Sequence, residues 1–268
     1  MELKIISTEN KEIGKKKLPV QFKEVIRSDL IKRAVLSIQS NKRQPYGTDP
    51  EAGMKASADL SRRRRKYRGS YGHGISRVPR KIISRRGTRF NWVGAVAPGI
   101  VGGRKAHPPK AEKILSKKIN KKERKKAIRS ALAATLDKNL VAERGHKVPA
   151  NYPIILESKI ESISKTKELK KIFESLDLKT EIGRTSKKKV RAGKGKARGR
   201  KYRKKTGLLL VVSKTCALEK SAKNILGVNV VLVNKLNAAL LAPGTIPGRL
   251  TLFTETALDK LEKEKLFM

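Results

Sequence analysis

Acidic side chains are what this chain has too few of: 23 Asp and Glu stand against 66 Lys and Arg, a formal net charge of +43 in 268 residues. A compact state with that imbalance repels itself unless a polyanion screens it, which points to nucleic acid first and an anionic membrane second. Apolar runs are short as well. None approaches the roughly 18 residues of a spanning helix, and the opening MELKIISTEN lacks the basic-then-apolar order of a secretory leader. A soluble, intracellular protein with no membrane partner is therefore expected. The single cysteine, Cys216, excludes an internal disulfide, and with only His73, His107 and His146 beside it there is no ligand spacing of a structural zinc site. No metal is expected. The chain also has no GxxxxGKS/T phosphate loop, no GxSxG elbow and no HExxH pair.

What the chain does have is 38% apolar residues, enough to build a real core. Helical spacing runs from Phe22 to Ile38 through Ile26, Leu30, Ala34 and Val35. It returns from Lys121 to Leu140 through Ile128, Leu132, Thr135 and Leu136, and from Lys165 to Leu178 through Leu169, Ile172, Phe173 and Leu176. Between and after these come apolar runs without alternation, YPIIL at 152–156, GLLLVV at 207–212, VNVVLV at 228–233 and RLTLF at 249–253, as in strands covered on both faces. Helical stretches at 218–226, 235–241 and 255–266 follow three of them, with Asn234 and Thr254 placed as N-caps. The fold class expected is α/β: a mainly parallel sheet with helices on both faces, ELKII at 2–6 adding a short strand.

The positive charge is concentrated. Residues 60–111 hold 15 Lys or Arg and 8 Gly with no acid, and residues 182–207 hold 13 Lys or Arg, again with none. The first window opens on SRRRRKYRGSYGHG, six cations interleaved with Tyr67 and Tyr71. Cations neutralise phosphates, aromatic rings stack on unpaired bases, and glycines let the backbone approach a crowded polyanion. The RNA-binding residues expected there are Arg62, Arg63, Arg64, Arg65, Lys66, Tyr67, Arg68, Tyr71, Arg77, Arg80, Arg85, Arg86, Arg89, Arg104 and Lys105. In the second window they are Lys187, Lys188, Lys189, Arg191, Lys194, Lys196, Arg198, Arg200, Lys201, Tyr202 and Arg203. Gly193, Gly195 and Gly199 there make a GxGxxxG spacing that precedes a strand, where a dinucleotide fingerprint follows one. No cofactor is expected.

Residues 45–110 fit neither helical nor strand period and carry only scattered apolar side chains, Ile75, Ile82, Ile83, Phe90 and Trp92 among them. They are expected to form one long, basic, extended loop inserted between two helices. The globular domain is then 1–44 with 111–268, carrying a basic Gly-rich loop at 182–207. Three readings stay open on residues alone: an RNA-binding protein, a chromatin-type DNA-binding protein, and an RNA-modifying enzyme with its site at the strand ends, which offer Glu157, Ser158, Ser213, Thr215, Asn234 and Glu255.

RSDLIKRAV at 27–35, QPYGTDPEAG at 44–53, GGRKAHPPK at 102–110, AIRSALAAT at 127–135, KARGRKYR at 196–203 and LAPGTIPGRLTLFTETAL at 241–258 resemble, in order, the family of the fourth protein of the large ribosomal subunit in its archaeal and eukaryotic branch. The chain ends at Met268 without a long basic extension, which favours the archaeal side. The resemblance implies a structural, non-enzymatic protein of cytoplasmic ribosomes. Its implied partners are large-subunit ribosomal RNA, neighbouring large-subunit proteins and the nascent peptide, with no small-molecule substrate. It also implies that the long loop helps to form the peptide exit tunnel, with a tip placed at Gly69, Ser70, Gly72, His73, Gly74, Arg89 and Trp92. Support of subunit assembly is expected on physical grounds, because a loop that orders only as RNA folds around it couples folding to assembly. RRRRKYRG at 62–69 and ISRRGTRFNWVGAVAPGIVG at 83–102 depart from the archaeal pattern.

Overall fold

Leu209 to Val212 and Thr251 to Thr254 are buried at every position, so both sides of these strands need a covering layer and they can only lie in the middle of a sheet. The computed structural model describes residues 2–268. In chain order the elements are β1 (Glu2–Ile6), β2 (Glu12–Lys17), α1 (Ser28–Asn41), β3 (Arg80–Arg86), β4 (Arg89–Gly94), α2 (Lys121–Ala134), α3 (Lys138–Glu143), β5 (Ile155–Leu156), α4 (Thr166–Ser175), α5 (Lys179–Ser186), β6 (Lys189–Val190), β7 (Tyr202–Arg203), β8 (Leu209–Val212), α6 (Leu218–Lys223), β9 (Asn229–Leu232), α7 (Ala238–Leu241), β10 (Thr251–Thr254) and α8 (Glu255–Lys263). They fall into two compact units, Met1–Lys42 with Ser116–Met268, and Arg43–Leu115.

The first unit is the α/β body. Its sheet runs β2-β1-β5-β10-β8-β9, with every neighbouring pair parallel except β1 and β2. Successive side chains of a strand point to opposite faces. Ile155, Leu209, Val211 and Phe253 accordingly join one core with Ile31 and Val35 of α1, Ala131 of α2 and Leu258 of α8. Leu156, Leu210, Val212 and Leu252 join the other with Leu169 and Phe173 of α4 and Leu218 of α6. Helices thus cover both faces, as the alternation-free runs require. β2 is mostly exposed and ends in Lys15, Lys16 and Lys17, which discourage further pairing at that edge.

Several boundaries differ from the sequence reading. Phe22 lies in a 3-10 turn at Val20–Lys23, edge-on to the Phe253 ring at 5.2 Å, and α1 begins only at Ser28. The helix expected over 121–140 stops at Ala134 and resumes as α3 because Asp137 caps the new start, its Oδ1 accepting from the Asn139 N–H at 2.9 Å. The stretch 165–178 likewise ends α4 at Ser175, where Asp177 turns to φ +57°. Thr254 caps α8 by accepting from the Ala257 N–H. Asn234 caps nothing; it sits in a 3-10 turn, and Asn237 caps α7 instead, accepting from the Leu240 N–H at 2.9 Å.

The second unit contains regular structure where the sequence reading expected none. β3 and β4 form an antiparallel hairpin, and Arg86 pairs with Arg89 across a two-residue turn that starts with Gly87 at φ +55°. A glycine at the first central position suits the tight turns that match strand twist.

Candidate nucleic-acid interface

Glu51 to Gly53 and Gly102 to Lys105 form the neck of the second unit. The Thr48 N–H donates to the Pro109 carbonyl at 3.0 Å, and a Cβ on Gly47 would fall 2.5 Å from the Ala111 nitrogen. The two family-like motifs at 44–53 and 102–110 are therefore packed on each other. Arg104 and Lys105 are exposed at this neck.

Beyond it, Arg62, Arg63, Arg64, Arg65, Lys66, Tyr67 and Arg68 are all exposed around a turn in which Arg65 has φ +56° and the Gly69 N–H donates to the Lys66 carbonyl. Tyr67 packs edge-on to Phe90 at 5.2 Å, Phe90 stacks on Trp92 at 5.3 Å, and the Arg68 guanidinium lies 5.9 Å from the Phe90 ring. Arg77 stands 5.4 Å over the Tyr71 ring. Arg80 is partly buried. It donates to the Ser76 carbonyl at 2.6 Å and lies 5.5 Å from the Trp92 ring. Arg85, Arg86 and Arg89 ring the hairpin turn in solvent. Gly69 and Ser70 are buried, whereas Gly72, His73 and Gly74 are exposed.

The second basic window belongs to the body. β6 and β7 pair through Lys189 with Arg203 and Val190 with Tyr202, and the Arg191 N–H donates to the Lys201 carbonyl at 2.7 Å. Lys187, Lys188, Lys189, Arg191, Lys194, Lys196, Arg198, Arg200, Lys201, Tyr202 and Arg203 are exposed on this small hairpin. Lys201 and Lys188 approach the Tyr202 ring to 5.6 and 5.9 Å.

At its base is a cleft of about 680 Å³ whose charged lining is all cationic: Arg144, Arg184, Lys187, Lys189, Arg203, Lys204 and Lys205. Arg184 lies inside the charge-dense window 182–207, whereas Arg144 comes from a separate element and escapes a reading by charge density. What fixes them is internal. Arg184 grips the buried Glu181 carboxylate through two bonds of 2.6 and 2.7 Å, and the His146 Nδ1 lies 2.7 Å from the same group. Burial alone would raise the Glu181 carboxyl, but Arg184, then His146 and the Lys147 N–H outweigh it and bring it to about 2. Arg144 donates to the Ile246 and Pro243 carbonyls.

The strand ends, where an open α/β sheet usually receives a ligand, are filled by the chain itself. Glu161 reaches the carboxyl ends of β8 and β10, accepting from the Thr254 hydroxyl at 2.6 Å, the Thr256 hydroxyl at 2.7 Å and the Ser213 hydroxyl at 3.1 Å. Burial opposes its ionisation, and these bonds more than offset that and lower its pKa. Among the described residues no group of three or more His, Cys, Asp or Glu could hold a metal ion, and no helix is long and apolar enough to cross a membrane.

The sequence profile of the Ribosomal protein L4/L1 family matches residues 17–264. The large ribosomal subunit protein uL4 of Nanoarchaeum equitans is 49% identical over 268 residues, all of both chains. That of Methanothrix thermoacetophila is 46% identical over 98% of this chain and 99% of its own, and that of Archaeoglobus fulgidus 42% over 97% and 98%. The chain belongs to the Ribosomal protein L4/L1 family and is of its archaeal type.

Proposed function

We infer that the chain is a structural constituent of the large ribosomal subunit, held in place by ribosomal RNA and by neighbouring subunit proteins, and so resides in the cytoplasm within the ribosome. The observation that carries this reading is a mismatch between charge and partners. Among the described residues, no cation of 60–111 or 187–206 takes part in an ion pair, although pairs are plentiful elsewhere in the body. Exposed cations without carboxylates are held by a polyanion or by nothing, and each that settles on a phosphate releases condensed counterions.

Residues 45–110 act as a long basic loop of the single globular domain formed by 1–44 and 111–268. Its stem binds RNA, and the exposed Gly72 to Gly74 turn, with Arg89, reaches the wall of the nascent-peptide exit tunnel. The tunnel role rests on family membership. The family is one of structural proteins, and the chain is not an enzyme. Glu161 and its hydroxyl partners supply a structural role for the strand ends.

The test is binding to large-subunit RNA fragments across a salt series, with and without residues 60–111. Affinity should fall with salt by a logarithmic slope of about 0.7 to 0.9 per phosphate contact. Deletion should lower both affinity and slope; if it leaves both unchanged, the loop is not an anchor.

A further inference from the structure

The second unit holds a cavity of about 520 Å³ whose walls combine three kinds of chemistry: the Tyr67 and Trp92 rings, the cations Lys66, Arg68 and Arg80, and one acid, Asp59. Each is out of place under a simpler account. If the rings served only to staple the hairpin they would be covered, yet Tyr67 is 55% exposed and Trp92 is only partly buried. Asp59 weakens the field of a patch that merely attracts phosphate; its Oδ1 accepts from the Leu60 N–H at 2.8 Å, which leaves Oδ2 for a ligand. A purely apolar ligand would have no use for three cations.

The combination suits a nucleotide. Unstacked bases are held by aromatic and guanidinium planes, their phosphates by Lys and Arg, and their amino edges by carboxylates. The cavity is also preformed. Phe90 backs Trp92 at 5.3 Å, and Arg80 is fixed near the Trp92 ring by its bond to the Ser76 carbonyl, so little ordering is required on binding.

We propose that this cavity receives one unstacked nucleotide of RNA, its base against Tyr67 and Trp92, its phosphate on Lys66 and Arg68, and a base amino group on Asp59. The proposal deepens the RNA-binding reading above and depends on it.

Trp92 is the only tryptophan in the chain, so intrinsic tryptophan emission reports on this site alone. Full-length protein titrated with large-subunit RNA should lose Trp92 emission in parallel with binding followed independently by filter retention. Tyr67→Ala should weaken affinity about tenfold at fixed salt, within the range of a stacked base, without changing the salt slope, because the ring carries no charge. Tyr67→Phe should retain affinity. Asp59→Ala should weaken binding even though it removes a negative charge.

In assembled large subunits, Trp92 should be shielded from acrylamide. Undiminished RNA binding with Trp92 emission unchanged, or with Tyr67→Ala as tight as the parent, would overturn the proposal while leaving the RNA-binding reading intact. A Trp92 open to acrylamide in the subunit would overturn it too, placing the ring toward the tunnel. Failure to bind RNA at all would sink the RNA-binding reading, and this proposal with it.

Discussion

Gly53 and Arg104 meet backbone to backbone: a Cβ added to Gly53, which has φ +80°, would fall 2.6 Å from the Arg104 nitrogen. This approach closes the neck of the hairpin unit. A side chain at Gly53 would be strained both by its conformation and by the opposite arm. Gly53→Ala should cost about 1 to 3 kcal/mol of local stability. Limited proteolysis should then cut within 43–115 several-fold faster, while the unfolding midpoint of the body stays where it was.

The cationic cleft at the base of the second hairpin is expected to act through charge. Replacing Lys187, Lys189, Lys204 and Lys205 together by Ala, all four exposed, should lower the salt slope of RNA binding by about 3. Thermal unfolding should be unaffected. A lower affinity with an unchanged slope would mean that these side chains do not sit on phosphates.

Acid should weaken the body through Glu181. Its pKa is held at about 2, below the ordinary carboxylate value. Its contribution, on the order of 2 to 3 kcal/mol, is therefore complete above about pH 4.5 and is lost as pH falls toward 2. His146 acts in the same direction. Burial holds its pKa below 6.5, so the unfolded chain takes up that proton first and stability falls as pH drops below 6.5. Glu181→Gln should lower the unfolding midpoint at pH 7 and flatten its pH dependence between about 4.5 and 2, measured by thermal unfolding in a buffer series.

Arg249 is a charge buried without a carboxylate. It is 1% exposed and donates to the Gly207 carbonyl at 2.8 Å, the Leu240 carbonyl at 3.0 Å and the Asn229 side chain. Burial pulls its pKa down to about 10. Arg249→Met would leave these acceptors unpaired, at a cost of about 2 to 4 kcal/mol. Arg249→Lys should recover only part of the loss, because one ammonium cannot reproduce the planar fork. Denaturant unfolding of both variants measures the difference.

How much of this could be read from the chain depends on where burial leaves a periodic trace. β8 and β10 are covered on both faces, so Leu209 to Val212 and Leu252 to Phe253 stand out as apolar runs. β2 is held by backbone pairing to β1, with a bulge at Ile5 and Ile6, and by polar contacts such as Lys16 with Asp259 at 2.7 Å, so EIGKKK carries no apolar period that would mark it as a strand. The β3–β4 hairpin left half a signal. Phe90 and Trp92 alternate with the exposed Asn91 and Val93 on β4, but a bulge between Ile82 and Ser84 breaks the matching period on β3. The basic windows were visible as charge. Their convergence with Arg144 was not, because it depends on the turn at Pro243, far away in sequence, to which Arg144 is bonded.

The central claim, that ribosomal RNA is the counterpart of this chain's unpaired cations, is tested most directly by sedimenting large subunits at near-physiological salt, where phosphate contacts persist. The account predicts that the full-length chain stays with the subunit at one copy per particle, and that a chain lacking residues 60–111 is released. Recovery of the full-length chain at the top of the gradient, free of RNA, would contradict it.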